Sequence, residues 1–290
     1  MKIVKVFCRY GVDLLLTLFT ILFIIAFSRS YIHLPNLQGW NVLWEQLQHL
    51  FFSLLSINEI QVRINNLHME SLVSAMKEPY VYSLSILWGG FIVSFCIAMV
   101  FAYLCFNLPK RVQKVIKGVA FFIESIPDVV FIFSIQLFVI WVFQKTDLLV
   151  VKPLAGFDNV YMLPIFTIAI LPSVMLFQMM ILAFQNEETK TYVEYAKAKG
   201  LSRKDILFRH IFRNALVTVF SNMQYLFWFM LSNLLVAEYL FNMRGFFSFL
   251  YKHKFETEVL AIGLIAVFIP FYIVDIVGKW FITYLTGEGE

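Results

Sequence analysis

Residues 187–216 read EETKTYVEYAKAKGLSRKDILFRHIFRNAL, and the fold class follows from this stretch. It is the longest polar run in a chain that is 60% hydrophobic. It holds Lys190, Lys197, Lys199, Arg203, Lys204, Arg209 and Arg213, with a long apolar segment on each side. So basic a loop between two apolar segments belongs on the cytoplasmic side of a membrane. Its local chemistry predicts helix, turn, helix. Thr189 or Thr191 caps a first helix, with Glu194 a turn further on. Lys197 and Lys199 precede Gly200 and stop that helix, because cations suit the last turn and glycine takes the left-handed cap. Ser202 stands three residues before Asp205, a capping-box spacing, and starts a second helix over about 203–214. Asp205 and Arg209 are four apart in the favourable order. Arg209 and Arg213 share one face, and Ile206, Leu207, His210 and Ile211 supply most of the other.

Working outward, the composition is that of a polytopic membrane protein. Mean hydropathy is +0.78 and only 14% of residues are charged, against roughly 25% in soluble chains. Cys8, Cys96 and Cys105 lie in or beside apolar segments without metal-site spacing and read as small apolar residues. His33, His49 and His68 are scattered, so no metal site is expected.

Six spans are expected. The first is Tyr10 to Phe27, after Lys2, Lys5 and Arg9, and is read as uncleaved. Arg29 to Glu78 lies outside, with an amphipathic segment at Val42 to Leu55 flanked by Trp40 and Trp44. That segment lies on the membrane or against the neighbouring spans. The second span is Tyr80 to Phe106, where Gly89-Gly90 allows close helix approach. Lys110, Arg111, Lys114 and Lys117 follow in an inner loop. Ser125-Ile126-Pro127-Asp128 starts the third span, which runs to about Phe143. The fourth is Met162 to Phe184, kinked by Pro164 and Pro172. The fifth is Val217 to Tyr239 and the sixth Leu260 to Leu285. The domain reading is 1–79 for the first span and outer segment, 80–285 for a five-span core containing the 187–216 loop, and 286–290 for a short cytoplasmic tail. Fourteen of the 23 Lys and Arg fall in the proposed inner segments, which places both termini inside.

Polar groups within spans are few. Asp275 is the deepest charge and marks a pathway or a structural pair. Glu238 lies near the outer end of the fifth span. Asn222, Gln224 and Asn233 line a pore or join helices. There is no nucleophile with its base, no zinc signature and no phosphate-binding glycine loop, so the chain is not read as an enzyme and cannot use ATP by itself.

Glu194-Tyr195-Ala196-Lys197-Ala198-Lys199-Gly200 resembles the EAA-x3-G loop of ABC importer permeases. Tyr192 ahead of it, Leu201-Ser202, and Phe208-Arg209-His210 through Arg213-Asn214-Ala215-Leu216 resemble the peptide/nickel (oligopeptide and dipeptide permease B-like) subfamily. Val236-Ala237-Glu238-Tyr239-Leu240-Phe241 with Gly245 resembles that family's V-x-E-x-x-F-x-x-x-G, and Asp275 falls where the family has an Asp in its last span. The segment after the first span lacks the family's Gly-Asp-Pro element, and Gln178 to Phe184 lacks its Arg residues, so the chain resembles a divergent member.

The resemblance implies an all-α type I permease fold in the inner membrane of a prokaryote. It implies that the loop is a coupling helix docking on a cytosolic ATPase. Glu194, Ala196 and Gly200 would shape the docking turn, Arg209, Arg213 and Asn214 would fix the loop against the ATPase or the permease's own inner helix ends, and Tyr192 and Ser202 belong to the same coupling loop. Implied partners are a second permease subunit (the same chain or another), two ABC ATPase subunits or domains, an extracytoplasmic substrate-binding protein and the lipid bilayer, with no nucleic acid. No cofactor is expected in this chain, since ATP and Mg would sit on the ATPases. The implied cargo is a peptide, with nickel or another metal chelate as the alternative. A membrane sensor or assembly subunit that keeps the docking loop is a further reading.

Overall fold

The structure is a computed structural model describing residues 2–31, 37–65, 68–147, 151–156 and 158–286. His33 and the tail beyond Thr286 lie outside the described residues. Helices dominate because the chain supplies long apolar runs whose backbone groups must be satisfied within the segment. Among the described residues, five helices are long and apolar enough to cross a membrane: α1 (Lys2–Ser30), α3 (Leu72–Phe106), α5 (Asp128–Thr146), α6 (Met162–Glu188) and α12 (Thr257–Thr286). A bent pair, Ile206–Ser221 and Met223–Leu240, makes the sixth, with 53° between its arms. The fifth span is thus two helices, α9 (Phe212–Ser221) and α10 (Met223–Leu240), and not one rod. Asn222 sits at the break, its side-chain amide donating to the Thr218 carbonyl at 2.8 Å.

The helices divide into two compact units. The first comprises Met1–Tyr82 and Gly245–Pro270 among the described residues. In it α1 packs on α2 (Leu37–Leu55) through Ile21, Leu22, Ile25 and Ala26 against Leu43 and Leu50, with Ala261 of α12. The amphipathic segment is therefore a helix longer than expected. It turns Leu43 and Leu50 inward and leaves Trp40 and Trp44 exposed. A hairpin follows, β1 (Gln61–Asn65) antiparallel to β2 (His68–Ser71), an element that an all-α reading omits. Val62 and Leu72 bury beside Phe246 and Leu250 of α11 (Phe246–Lys252) and Ile262 and Ala266 of α12. Tyr80 donates to the Ala266 carbonyl at 2.9 Å. Span two begins eight residues earlier than expected, at Leu72, with Pro79 carried inside the helix.

The second unit, Ser83–Arg244 with the described residues from Phe271 onward, is built on α6. Sixteen of its 27 residues are buried, which makes it the central helix. Pro172 lies inside an otherwise continuous helix. Gly89 and Gly90 bring α3 against it: a Cβ on Gly90 would lie 2.8 Å from Ile168, itself 1% exposed. Phe106 and Phe212 close on Phe184 at ring separations of 5.5 and 6.0 Å. Residues 110–124, read from sequence as an inner loop, form α4 (Lys110–Glu124). Its polar side meets α6: Lys110 with Glu188 at 2.8 Å, Lys117 with Gln185 at 3.1 Å, and Gln185 with Gln113 at 2.9 Å.

Candidate coupling site

Thr189 and Lys190 link α6 to α7 (Thr191–Ala198). Neither threonine caps α7. Thr189 donates back to the Asn186 carbonyl at 2.9 Å, and Thr191 is already helical. Lys190, in an extended conformation, holds the N-cap, and its carbonyl accepts from Val193 and Glu194 at 3.0 and 3.4 Å. The N-cap position falls on Lys190, whose side chain has no acceptor, so no side chain caps α7.

The end of α7 is as the sequence predicts. Gly200 has φ of +75°, the left-handed conformation. Leu201 donates to the Ala196 carbonyl at 3.3 Å and Gly200 to that of Lys197 at 3.0 Å, a glycine-terminated C-cap. Ser202 then caps the next helix: its Oγ accepts from the Asp205 amide at 3.2 Å and donates to Asp205 Oδ2 at 2.6 Å. That helix opens as α8 (Arg203–Asp205), passes through a π-helical turn at Ile206–Ile211 and continues as α9, seven residues beyond the expected Asn214. The wide turn buries Ile206, Leu207 and Ile211 while Arg209 stays exposed.

Two faces of α7 differ. Val193 and Ala196 are buried. Glu194, Tyr195, Lys197, Ala198 and Lys199 are exposed, Tyr195 by 64%. Lys199 Nζ stands 4.5 Å over the Tyr195 ring. Ala196 therefore belongs to the packing face, where a small side chain admits close approach, and Glu194 to the outward face. A cleft of about 390 Å³ lies alongside, lined by Phe106, Glu188, Lys197, Leu201, Ile206 and Ile211.

Glu187 holds the site together. Its side chain is 8% exposed and accepts from Lys190 Nζ at 2.5 Å and from the Tyr192 hydroxyl at 2.5 Å. Asn214 of α9 hydrogen-bonds with both Glu187 and Tyr192. One carboxylate thus ties the end of α6, the start of α7 and α9. Burial, and then the hydrogen bond to the Glu187 carboxylate, push the Tyr192 phenol up to about 12. Of the expected residues, Tyr192 and Asn214 meet here, Gly200 and Ser202 shape the turn, and Arg209 and Arg213 are exposed on the following segment. Sequence reasoning passed over Glu187, although its spacing to Lys190 and Tyr192 within one polar turn was visible.

Glu238 and Asp275, two of the remaining candidates, each have a side-chain partner within the chain. Glu238 is 1% exposed and accepts from the Ser83 hydroxyl. Asp275 accepts from Lys279 Nζ at 2.7 Å, one turn further along α12. Gly245 precedes α11 with φ of −86°, a conformation open to any residue. No group of three or more metal-ligating side chains occurs among the described residues.

Five apolar spans and one bent pair, with an exposed glycine-terminated helix between two of them, define a multi-pass membrane protein among the described residues. The chain belongs to the family of binding-protein-dependent transport system inner membrane components, which it matches over residues 82–286. It is 31% identical over 269 residues to the peptide transport system permease protein SapB of Salmonella typhimurium, covering 80% of each chain. It is 30% identical over 271 residues to the putrescine export system permease protein SapB of Escherichia coli K12, again covering 80% of each. Among solved structures it is similar to the inward-facing MetNI methionine ABC transporter, with TM-score 0.53, 14% identity, and coverage of 74% of this chain and 95% of that one. That likeness supports the type I permease fold.

Proposed function

We propose that the chain carries peptides across the cytoplasmic membrane by alternating access, driven by separate ATPase subunits that engage the outward face of α7. The carrying observation is the two-faced coupling segment. Its inner side is fixed to α6 and α9 through Glu187, Tyr192 and Asn214, and its outer side presents Glu194, Tyr195, Lys197 and Lys199. A movement of the ATPase would pass to the spans only if the segment is rigidly fixed to them, and the buried carboxylate supplies that fixing. In this reading Glu194, Gly200 and Ser202 shape the docking turn, and Arg209 and Arg213 brace it. The segment faces the cytoplasm. A second permease subunit, two ATPase subunits or domains and an extracytoplasmic binding protein complete the complex. ATP and Mg belong to the ATPases, and this chain performs no catalysis. The permease core, 80–285, carries the transport machinery.

The name of the Salmonella relative supports a peptide cargo. A second reading, movement of a polyamine, has the support of the name printed for the Escherichia coli K12 relative. Reconstitution of the whole complex in vesicles separates them. ATP-dependent accumulation of labelled peptides, unaffected by excess putrescine, is the expected result. Putrescine flux without peptide flux would replace the first reading by the second. ATPase binding with movement of neither would favour a sensor.

A further inference from the structure

Helix α4 has its polarity reversed for a helix bordered by water. The side against α6 is polar: Gln113 is 2% exposed and donates to the Phe106 and Leu108 carbonyls at 3.1 and 2.9 Å, while Lys110 and Lys117 reach Glu188 and Gln185. The side turned away is apolar. Val112, Val115, Val119 and Phe122 recur at helical spacing and are 41%, 67%, 54% and 70% exposed. Their stripe is bordered by Arg111 and Lys114, both exposed, and neither takes part in an ion pair among the described residues. An apolar stripe beside two uncommitted cations matches one surface: the boundary between acyl chains and anionic headgroups. At 15 residues, α4 is also too short to span.

We propose that α4 rests obliquely in the inner membrane interface, inclined along α6 from the Lys110–Glu188 contact to the Glu124–Gln178 contact, seating Val112, Val115, Val119 and Phe122 among acyl chains and binding the phosphates of anionic phospholipids through Arg111 and Lys114. Charge complementarity selects lipid over an apolar protein surface, since a docked helix would leave both cations against apolar side chains. The position gives this contact a consequence. Lys110 pairs with Glu188, the residue next to Glu187, so the lipid-bound helix is anchored to the root of the coupling segment.

The test uses the assembled transporter in nanodiscs of phosphatidylcholine with graded phosphatidylglycerol. Native mass spectrometry reads the ratio of the two lipids retained. The wild type retains phosphatidylglycerol preferentially, and the Arg111→Gln/Lys114→Gln variant loses about fivefold of that preference for each charge removed. An unchanged ratio in the variant overturns the proposal. Nitroxides at Val115→Cys and Val119→Cys, with Cys8, Cys96 and Cys105 replaced by Ser, provide a second reading. Greater exposure to oxygen than to a water-soluble nickel chelate is expected. Greater exposure to the chelate, or a cross-link from either position to another chain of the complex, overturns it.

Discussion

The Glu187 carboxylate shows how much one buried charge can organise. It carries three side-chain partners, Lys190, Tyr192 and Asn214, drawn from three successive pieces of chain. Removing it takes the acceptor from the half-buried Tyr192 hydroxyl and a partner from the exposed Asn214 side chain, at a cost of about 1 kcal/mol. Glu187→Ala should therefore lower the midpoint of thermal unfolding and increase protease cutting within 189–202, both readable on purified protein. An unaltered midpoint and cutting pattern would show that the staple contributes nothing. Tyr192 offers a check by titration. Its raised pKa means that the folded state holds the phenolic proton more tightly than the unfolded state does. The stabilisation is thus complete below pH 10 and is lost as pH rises from 10 to about 12. In ultraviolet titration, Tyr192→Phe should remove one phenol from the highest part of the tyrosinate curve. Loss from the middle of the curve would contradict the buried pairing. The staple was partly legible: Tyr192 and Asn214 stood out through resemblance, but a carboxylate at the end of an apolar run looks like any interfacial charge until its partners are placed around it.

At the scale of elements, the turn at Gly200 was readable because its causes are local. Cations, then glycine, then Ser202 with Asp205 dictate a stop and a start within six residues, and both are present. Nothing lies within 4 Å of a Cβ built on Gly200, so the effect of substitution comes from its backbone alone. Gly200→Ala should cost about 1–2 kcal/mol in the left-handed conformation, with transport reduced and the spans intact. Gly200→Pro cannot adopt the positive φ at all and should abolish uptake while ATP hydrolysis continues. Wild-type uptake in the proline variant would remove the turn from the mechanism. Other elements were less legible because their causes are tertiary. The caps expected from Thr189 and Thr191 gave way to a two-residue backbone turn. The loop at 110–124 became α4 because Gln113, Lys110 and Lys117 find partners on α6. Hydropathy reports length and composition, and the break at Asn222 changes neither, so the fifth span read as straight.

Across the whole molecule, six apolar segments and the charge bias gave the class of protein, since a bilayer admits few solutions for such a chain. The hairpin at 61–71 escaped notice because so short an element carries little periodic signal. Cargo is less legible than coupling for a physical reason. In the proposed reading, coupling rests on a local turn and one carboxylate, whereas selection would depend on surfaces completed by other subunits. The central claim is that the outward face of α7 meets the ATPase. It is tested most directly by placing benzoylphenylalanine at Tyr195, 64% exposed, in the assembled complex and irradiating it with and without ATP. The account predicts a cross-link to the ATPase whose yield changes with nucleotide. A complex that transports but forms no such cross-link, or forms it only to lipid, would contradict it.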